Sequence, residues 1–570
     1  MYDDINELKE TDIWTAYQHG VDYNHQHNLY TDADKCNEMY NGNQWKGANL
    51  GNNPPISLNY IKTIVKHKVS TVNQNLWKIV YESMNFDSEE IIQSAKKVCK
   101  LLNKKADITW ERNKLDDKLK KIVRQGAIVS EGVLYNFYDE DIRDIRVQLL
   151  KKTDIIYGDE NNPEIEEQPY IIIKRRMTTI KAREYARQLN CSEDIVQSIR
   201  GDNEYLEEAG DRAKYEKDDK VTVLTKLWKE KGTVWYEEGT RFCMLTKKLN
   251  TGYKRYPIQH FLWDEKEGSA RGEGEVKSHI ENQLEVNRTL MRRSVVGKNI
   301  AFPHAIINTD FIANKDAINK TGSTIEVKGK TVEDVRKMFG YTQVTQMSSD
   351  IKELQNELMS VDRDLSGAGD IATGSINPST ASGRAVLAVQ EASTKPMIEQ
   401  VSALKTLIEE LALCWLDMWI ATSEETMHLI NEEIQDDTGE STYTVEEIPT
   451  VLVENMNATV KIEVTSKGAY DKYAKEQSLE NLANSAIFQN PQLLEDYIEM
   501  LDDDSNMPKQ NVLAVVKKRK ERQARIAQIK AQGQLMQQQA QQYMAQQHQM
   551  AMANLMGSEV EGASQQAPSI

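Results

Sequence analysis

Few residues of this 570-residue chain could do phosphate chemistry. The sequence contains no G-x-x-x-x-G-K-[ST] motif, whose backbone amides would cradle the phosphates of ATP. Gly272 and Gly274 could suggest a phosphate cradle, but Glu273 and Glu275 alternate with them. Carboxylates at those positions would repel phosphate. The chain is therefore not expected to be an ATP-driven motor.

Residues that could bind a metal or activate a nucleophile are equally sparse. Of nine histidines only His19, His25 and His27 lie close together, and no Cys or carboxylate spacing makes them a metal site. Asp362 and Asp364 are two residues apart and would point to different faces of a helix. Neither H-E-x-x-H nor G-x-S-x-G occurs. We expect no catalytic site, no metal and no cofactor.

The charge balance disfavours a protein that grips nucleic acid. Lys plus Arg number 71 and Asp plus Glu 88, which gives a formal net charge of -17. Binding through phosphates needs the opposite sign. A surface past which DNA slides remains compatible with this charge, and so does an ordinary acidic protein.

The cysteines and the hydropathy bear on the compartment. The five cysteines are widely spaced and odd in number, which indicates reduced, mostly buried thiols. The N-terminus, MYDDINELKE, lacks the basic start and apolar run of a signal peptide. No window approaches the ~18–20 uninterrupted apolar residues of a membrane span. We expect a protein of a cytosol, or of a particle assembled there, without a membrane partner.

Three long helices are the elements that would position functional side chains. The first is predicted from Glu275 to about Asn299 and the second from Ser349 to Leu365, and the third contains Val401 to Met418. In the first helix one stripe is apolar and polar residues fill the rest; the stripe consists of Val276, Ile280, Leu284, Met291 and Val295. Residues 366–383 contain four glycines, one proline and six Ser or Thr residues, which predicts a mobile, solvent-facing loop.

The rest of the chain predicts mixed α and β structure, and the fold class is α+β. Helices are predicted from Thr11 or Asp12, from about Ile61, after a Ser88 cap, and from Leu115 to a closing Gly126. Strands are predicted at 133–137, at 170–173, in a three-stranded meander over 220–249 and up to Pro257. Further predictions are a charged helical insert with little core (180–214), strands at 301–308 and 323–329, a short helix (332–338), an acidic surface loop (431–447) and a returning strand (451–465).

The last sixty residues are rich in glutamine. Ile529, Met536, Tyr543 and Met550 recur every seven residues, a spacing that places them on one seam of a supercoiled helix. Gln-rich segments are often disordered. A helix that becomes ordered beside other copies and a disordered tail are both compatible with this pattern.

Four segments resemble tailed-bacteriophage portal proteins in sequence and in order. They are NGNQW at 41–45, PPISLNYIKTIV at 54–65, GEGEVKSHIENQLEVNRTL at 272–290 and NPSTASGRA at 377–385. The third has the Gly-x-Gly step followed by Gln283 and Asn287, one helical turn apart. The fourth resembles the exit of that family's tunnel loop.

The resemblance implies a portal fold, with a mixed α/β wing, a long-helix stem, a small α/β clip insert and a helical C-terminal crown or barrel. The implied parts are the wing (1–271), first stem helix (272–300), clip (301–347), second stem helix (348–365), tunnel loop (366–383), long wing helix and returning strand (384–470), crown helices (471–525) and Gln-rich barrel helix or tail (526–570).

The same resemblance implies a ring, twelve subunits in family members, around a channel for double-stranded DNA. Implied partners are the large terminase subunit, a head–tail adaptor and the major capsid or scaffolding protein. The implied location is one vertex of the virion, with assembly in the host cytoplasm. The clip would dock the motor and then the adaptor, with Lys315, Lys320, Lys328 and Lys330 as candidate contacts.

Candidate channel residues follow from the DNA charge. Residues 351–382 include five acidic and two basic residues, a balance that favours sliding of DNA over tight binding of DNA. The tunnel loop offers Asp370, Thr373, Ser375, Asn377, Ser379 and Thr380. Sparse stem cations could centre the duplex or form salt bridges between neighbouring stem helices; these are Arg288, Arg292, Arg293 and Lys298.

Two other classes of protein remain open from sequence alone. One is a coiled-coil scaffold without a channel, and the other is a nucleic-acid-processing enzyme whose site no motif reveals. A ring near twelve times 65.2 kDa distinguishes a portal from both.

Overall fold

A computed structural model describes residues 10–51, 53–83, 89–202, 219–301, 395–423, 426–434, 441–455 and 458–466, with parts of 305–360 and of 522–550. The chain divides into two compact units, Met1–Thr465 and Ser466–Ile570. The first unit contains runs of helices and antiparallel sheets, in agreement with the predicted α+β class.

Five helices and one strand open the first unit. Their bounds are α1 (Asp12–Gln26), α2 (Leu29–Asn41), α3 (Ile61–Val72), β1 (Asn75–Ser83), α4 (Glu89–Asn113) and α5 (Leu115–Val129). The Thr11 hydroxyl accepts a hydrogen bond from the Trp14 amide and caps α1, as predicted. The sequence did not predict α2 or β1. Ser88, the predicted cap of α4, lies outside the described residues.

Two antiparallel sheets form the centre of this unit. A three-stranded sheet has the order β3-β2-β9 and a five-stranded sheet the order β4-β5-β6-β7-β8. The strands are β2 (Glu131–Asp139), β3 (Asp144–Leu150), β4 (Ile155–Tyr157), β5 (Ile171–Thr178), β6 (Lys220–Glu230), β7 (Thr233–Gly239), β8 (Leu249–Asn250) and β9 (Ile258–Leu262). Between β5 and β6 lie α6 (Thr179–Gln188) and α7 (Glu193–Ser198).

The remaining described elements follow the long helix α8 (Glu275–Ala301). They are β10 (Ala305–Ile307), β11 (Phe339–Tyr341), α9 (Ile398–Thr422), β12 (Thr426–Ile434), β13 (Ser441–Pro449), α10 (Thr450–Asn455) and β14 (Ala458–Ser466). Strand β14 was predicted to return to the sheet formed by the N-terminal strands, but it pairs with β1 in a separate two-stranded sheet. Residues 355–360 are helical, as predicted for the second long helix.

The largest core lies between the N-terminal helices and α9. It contains Leu404, Ile408, Leu411, Trp415 and Met418 of α9, all fully buried. Their three- and four-residue spacing predicted this face correctly. The two α9 tryptophans, Trp415 and Trp419, donate indole hydrogen bonds to Asn136 (3.1 Å) and Asp144 (3.4 Å), so α9 is fixed to the three-stranded sheet.

The third strand of the predicted meander is present but short. Only Leu249–Asn250 (β8) pairs with β7 as a strand, preceded by an isolated antiparallel bridge between Gly239 and Met244. The Thr240 amide donates to the Cys243 carbonyl (2.8 Å) in the turn after β7. Cys243 and Leu245 belong to a buried cluster with Ala182 and Ile199. The prediction that the insert has little core was therefore wrong for 180–202, where α6 and α7 help to enclose this cluster, and 203–214 lie outside the described residues.

Two predicted element ends were also wrong. Pro257 precedes β9, and its carbonyl accepts a hydrogen bond from the Asn136 amide at 2.8 Å. Gly126 lies inside α5, where a Cβ atom would come within 2.7 Å of the Phe261 ring. The glycine serves close helix–sheet packing, and α5 ends at Val129.

The predicted acidic loop and much of the predicted return strand have other structures. Strands β12 (Thr426–Ile434) and β13 (Ser441–Pro449) pair antiparallel, with Met427 and Ile448 buried, and 435–440 lie outside the described residues. Residues 450–455 are helical, and only 458–466 form a strand. The acidic side chains of β12 and β13 concealed a strand pattern that the sequence analysis assigned to a loop.

The described residues of 522–550, in the second unit, are helical. The helical part of the prediction agrees with this, and its ordering beside other copies stays a prediction. The heptad residues Ile529, Met536, Tyr543 and Met550 are 62–72% exposed. Among the described residues, no helix is both long and apolar enough to cross a membrane.

Candidate functional site

The candidate site is the junction between α8 and the N-terminal helices. Gln283 and Asn287 of α8 are both fully buried. The Gln283 Oε1 atom accepts hydrogen bonds from the backbone amides of Tyr60 (3.2 Å) and Ile61 (3.4 Å), at the start of α3. Amides in the first turn of a helix lack intrahelical partners, so Gln283 caps α3 from another helix.

Asn287 extends this connection to the NGNQW segment. Its Oδ1 accepts from the Leu58 amide (3.0 Å), and its Nδ2 donates to Gln44 Oε1 (2.5 Å). Gln283 Nε2 donates to the Leu58 carbonyl (2.6 Å) and to Asn287 Oδ1 (3.1 Å). Three of the four segments that carry the resemblance therefore meet in one buried polar network.

The buried face of α8 is wider than the predicted apolar stripe. Val276 and Ile280 are buried, but so are the polar residues Glu275, His279 and Gln283. The spacing of apolar residues cannot identify a helix face that is buried through hydrogen bonds of side-chain amides and carboxylates. The sequence signal was the Gln283–Asn287 spacing, which gave the helix face but not its partners.

Glu275, the first residue of α8, is held by three side chains. Its carboxylate accepts from Lys68 Nζ (2.6 Å) and Trp263 Nε1 (3.2 Å), and it lies 2.8 Å from His279 Nε2. Burial raises the pKa of Glu275, but the hydrogen bond to His279 and the contact with Lys68 outweigh it and lower the pKa to about 2. The carboxylate also lies at the positive end of the helix dipole.

The Gly-x-Gly step before α8 serves close backbone approach. A Cβ on Gly272 would lie 2.5 Å from the Asp264 carbonyl oxygen, and one on Gly274 would lie 2.8 Å from the Ser130 amide nitrogen. Such distances exclude a side chain. The glycines therefore fix the entry of α8 against β9 and the end of α5.

Arg271 joins this entry to both sheets. Its guanidinium is buried and contacts Glu131 of β2, Glu160 (2.9 Å) and the Ile155 carbonyl of β4 (3.0 Å). Burial lowers the pKa of Arg271, but Glu131 and Glu160 outweigh it and raise the pKa well above its ordinary value. The guanidinium thus stays charged and holds the start of α8 to both sheets.

The stem cations are placed unequally. Arg288 and Arg292 pair with Glu285 of their own helix at 3.3 and 3.0 Å, and Arg293 donates to Gln355 Oε1 (2.8 Å). Lys298 is exposed. Within the described part of the chain, Arg288 and Arg292 thus pair inside α8 and Arg293 bonds to a neutral amide, and salt bridges between neighbouring stem helices stay a prediction.

The structure does not test the remaining predicted site residues. The tunnel-loop residues Asp370, Thr373, Ser375, Asn377, Ser379 and Thr380 lie outside the described residues, as do Lys315, Lys320 and Lys330. Lys328 is exposed. In the described part of the chain, no three His, Cys, Asp or Glu side chains could together hold a metal ion.

Fold and site together define a mixed α+β protein whose long helix is held at one end by a buried polar network. A model of the phage P22-like portal protein family matches residues 17–568 of this chain. The chain belongs to that family, whose members are structural proteins and not enzymes. A comparison with curated proteins returned no match.

Proposed function

We propose that copies of this chain form a ring at one capsid vertex and that double-stranded DNA passes through it. The single observation that carries the proposal is the uneven burial of α8. Its 27 residues span about 40 Å at 1.5 Å per residue. Buried residues lie between Glu275 and Thr289, whereas none of the fully described residues 290–301 is buried.

A helix that is buried at one end and half-buried or exposed at the other offers side chains that further surfaces can cover, beyond the described contact of Arg293 with Gln355. In a ring the neighbouring copies supply such surfaces, and twelve subunits is the number that the family resemblance suggests. Glu285 offsets only one of the two arginines that pair with it, so residues 285–298, which also contain Arg293 and Lys298, keep a net charge of +3. These sparse cations would centre the duplex, while the five acidic and two basic residues of 351–382 would let it slide.

The tunnel loop is proposed to contact DNA weakly through neutral side chains. Thr373, Ser375, Asn377, Ser379 and Thr380 can donate single hydrogen bonds to phosphates, with Asp370 opposing tight binding. The clip lysines Lys315, Lys320, Lys328 and Lys330 are proposed to meet acidic surfaces of the large terminase subunit and then of the head–tail adaptor. The major capsid or scaffolding protein would hold the wing.

Deleting residues 372–379 tests the conduit. The ring should still assemble, because the deletion leaves the α8 junction intact, but packaged DNA should be retained poorly. The measurement is the yield of filled, stable heads after complementation with the variant. A deletion of 435–440, between β12 and β13, is the matched control. Equal yields of filled heads from both deletions and the wild type would contradict the proposal.

A further inference from the structure

A surface groove between α3 and α5 concentrates positive charge on this acidic chain. It encloses about 290 Å³ and is lined by side chains of both helices and the end of α2. Buried Val65 and Val69 form its floor, and exposed Lys66, Lys120 and Arg124 stand on its two walls. Lys120 and Arg124 stand on the same wall because they are four residues, about one turn, apart on one face of α5.

The cations of this groove are largely uncompensated. Lys120 lies 3.4 Å from Asp117, but both side chains are at least half exposed, so the pair is weak. Lys66 and Arg124 have no carboxylate within salt-bridge distance in the described part of the chain. Ser70 and Asn73 line the same wall as Lys66 and add neutral hydrogen-bond donors. This combination suits phosphate oxygens.

Tyr40 indicates which form of nucleic acid fits. Its ring lies at the edge of the groove, and Lys62 Nζ stands 5.5 Å from the ring centroid. The cation stands over one aromatic face, which is therefore less accessible as a stacking platform for an unstacked base. A duplex, which presents its backbone and keeps its bases stacked, needs no such platform.

The groove walls also argue against an extended acidic peptide. Both walls are helices, whose backbone amides are already bonded within the helix. Extended peptides are held largely by backbone hydrogen bonds, which these walls do not supply. Side-chain donors on long, flexible stems are sufficient for phosphates.

We propose that the α3–α5 groove binds the phosphate backbone of duplex DNA through Lys66, Lys120 and Arg124. This contact is separate from the passage of DNA through a channel. A channel wall must let DNA slide, whereas this groove is proposed to bind it. It does not depend on ring formation.

The test compares full-length wild type with two triple variants of equal net charge. The groove variant is Lys66→Gln, Lys120→Gln, Arg124→Gln. The control is Lys231→Gln, Lys247→Gln, Lys266→Gln, which removes three exposed cations elsewhere. Binding of a fluorescein-labelled duplex of about 20 base pairs is followed by anisotropy from about 25 to 200 mM salt. The mass of each assembly is measured in parallel, so loss of the groove and loss of a ring are separate results.

We expect the groove variant to bind at least ~10-fold more weakly at low salt and to reduce the slope of log K against log salt by about 2 to 3, near 0.9 per lost phosphate contact. The control should keep the wild-type affinity and slope. Equal losses in both variants, or no duplex binding by wild type at the lowest salt concentration, would overturn the proposal. So would displacement of the duplex by polyglutamate as efficiently as by unlabelled duplex at equal charge.

Discussion

At the scale of single residues, the account depends on polar side chains that are buried and fully engaged. Gln283 binds three backbone groups of residues 58–61, and the Glu275 carboxylate accepts from Lys68 and Trp263. Buried polar groups cost little while they are paired and a great deal when one partner is removed. These side chains therefore determine how the first half of α8 is positioned against α3 and the neighbouring segments.

Replacing Gln283 should weaken the junction. In Gln283→Leu the amides of Tyr60 and Ile61 lose their acceptor while the side chain keeps a similar volume. Each buried group left unpaired costs about 1–3 kcal/mol. We expect a clearly lower midpoint of thermal unfolding, followed by circular dichroism. Asn299→Leu, on the half-exposed end of the same helix, should change the midpoint little; equal midpoints for the two variants would refute the role of Gln283.

Glu275 predicts a specific dependence of stability on pH. Its pKa is about 2 in the folded protein, below the ordinary value of 4.5. The stability that this lowered pKa provides is therefore fully present above pH 4.5 and is lost as the pH falls towards 2. Urea midpoints of wild type should fall between about pH 4.5 and 3 more steeply than those of Glu275→Gln. The exposed Glu281→Gln variant is the control; the same slope in wild type and Glu275→Gln would contradict the interpretation.

At the scale of elements, α8 is a helix with two different halves. Its first half is enclosed by α2, α3 and α5, and its entry is fixed by glycines against neighbouring backbone. Its second half contains Gly297, where an added Cβ atom would have open space on every side to 4 Å. The two halves should therefore respond to the same substitution in opposite ways.

Glycine-to-alanine substitutions measure this difference. Gly274→Ala places a methyl group 2.8 Å from the Ser130 amide nitrogen, so the helix entry must shift and the protein should be destabilised. Gly297→Ala should instead stabilise by up to about 1 kcal/mol, because alanine is the better helix former. Chemical denaturation of both variants gives the two signs, and a stabilised Gly274→Ala would show that the entry is not tightly packed.

At the scale of the whole molecule, local periodicity predicted the helices well. The stripes of α3, α5 and α9 recur every three or four residues, so short-range sequence determines which face is buried. The β12–β13 pair was missed because the adjacent acidic residues Glu432–Glu433 and Glu446–Glu447 interrupt any apolar–polar alternation and give the segment the composition of a surface loop. Tight turns such as Thr240–Cys243 depend on contacts with distant segments, which periodicity does not contain.

The site was only partly predictable for a related reason. Gln283 and Asn287 were identified from their spacing and resemblance, but their partners Leu58, Tyr60 and Gln44 are more than 220 residues away in sequence. The distant partners in a polar junction are not marked by any apolar periodicity in their own segments. Membership of the portal family explains why these separate segments occur in one chain.

The central claim is that residues 290–301 of α8, none of which is buried in the single chain, pack against other copies of the chain in a ring. The most direct measurement is the mass of the purified full-length protein by native mass spectrometry, with negative-stain images of the same sample. The account predicts an annular particle near twelve times 65.2 kDa. A protein that stays monomeric under every condition tested, or that forms elongated oligomers without a central hole, would contradict it.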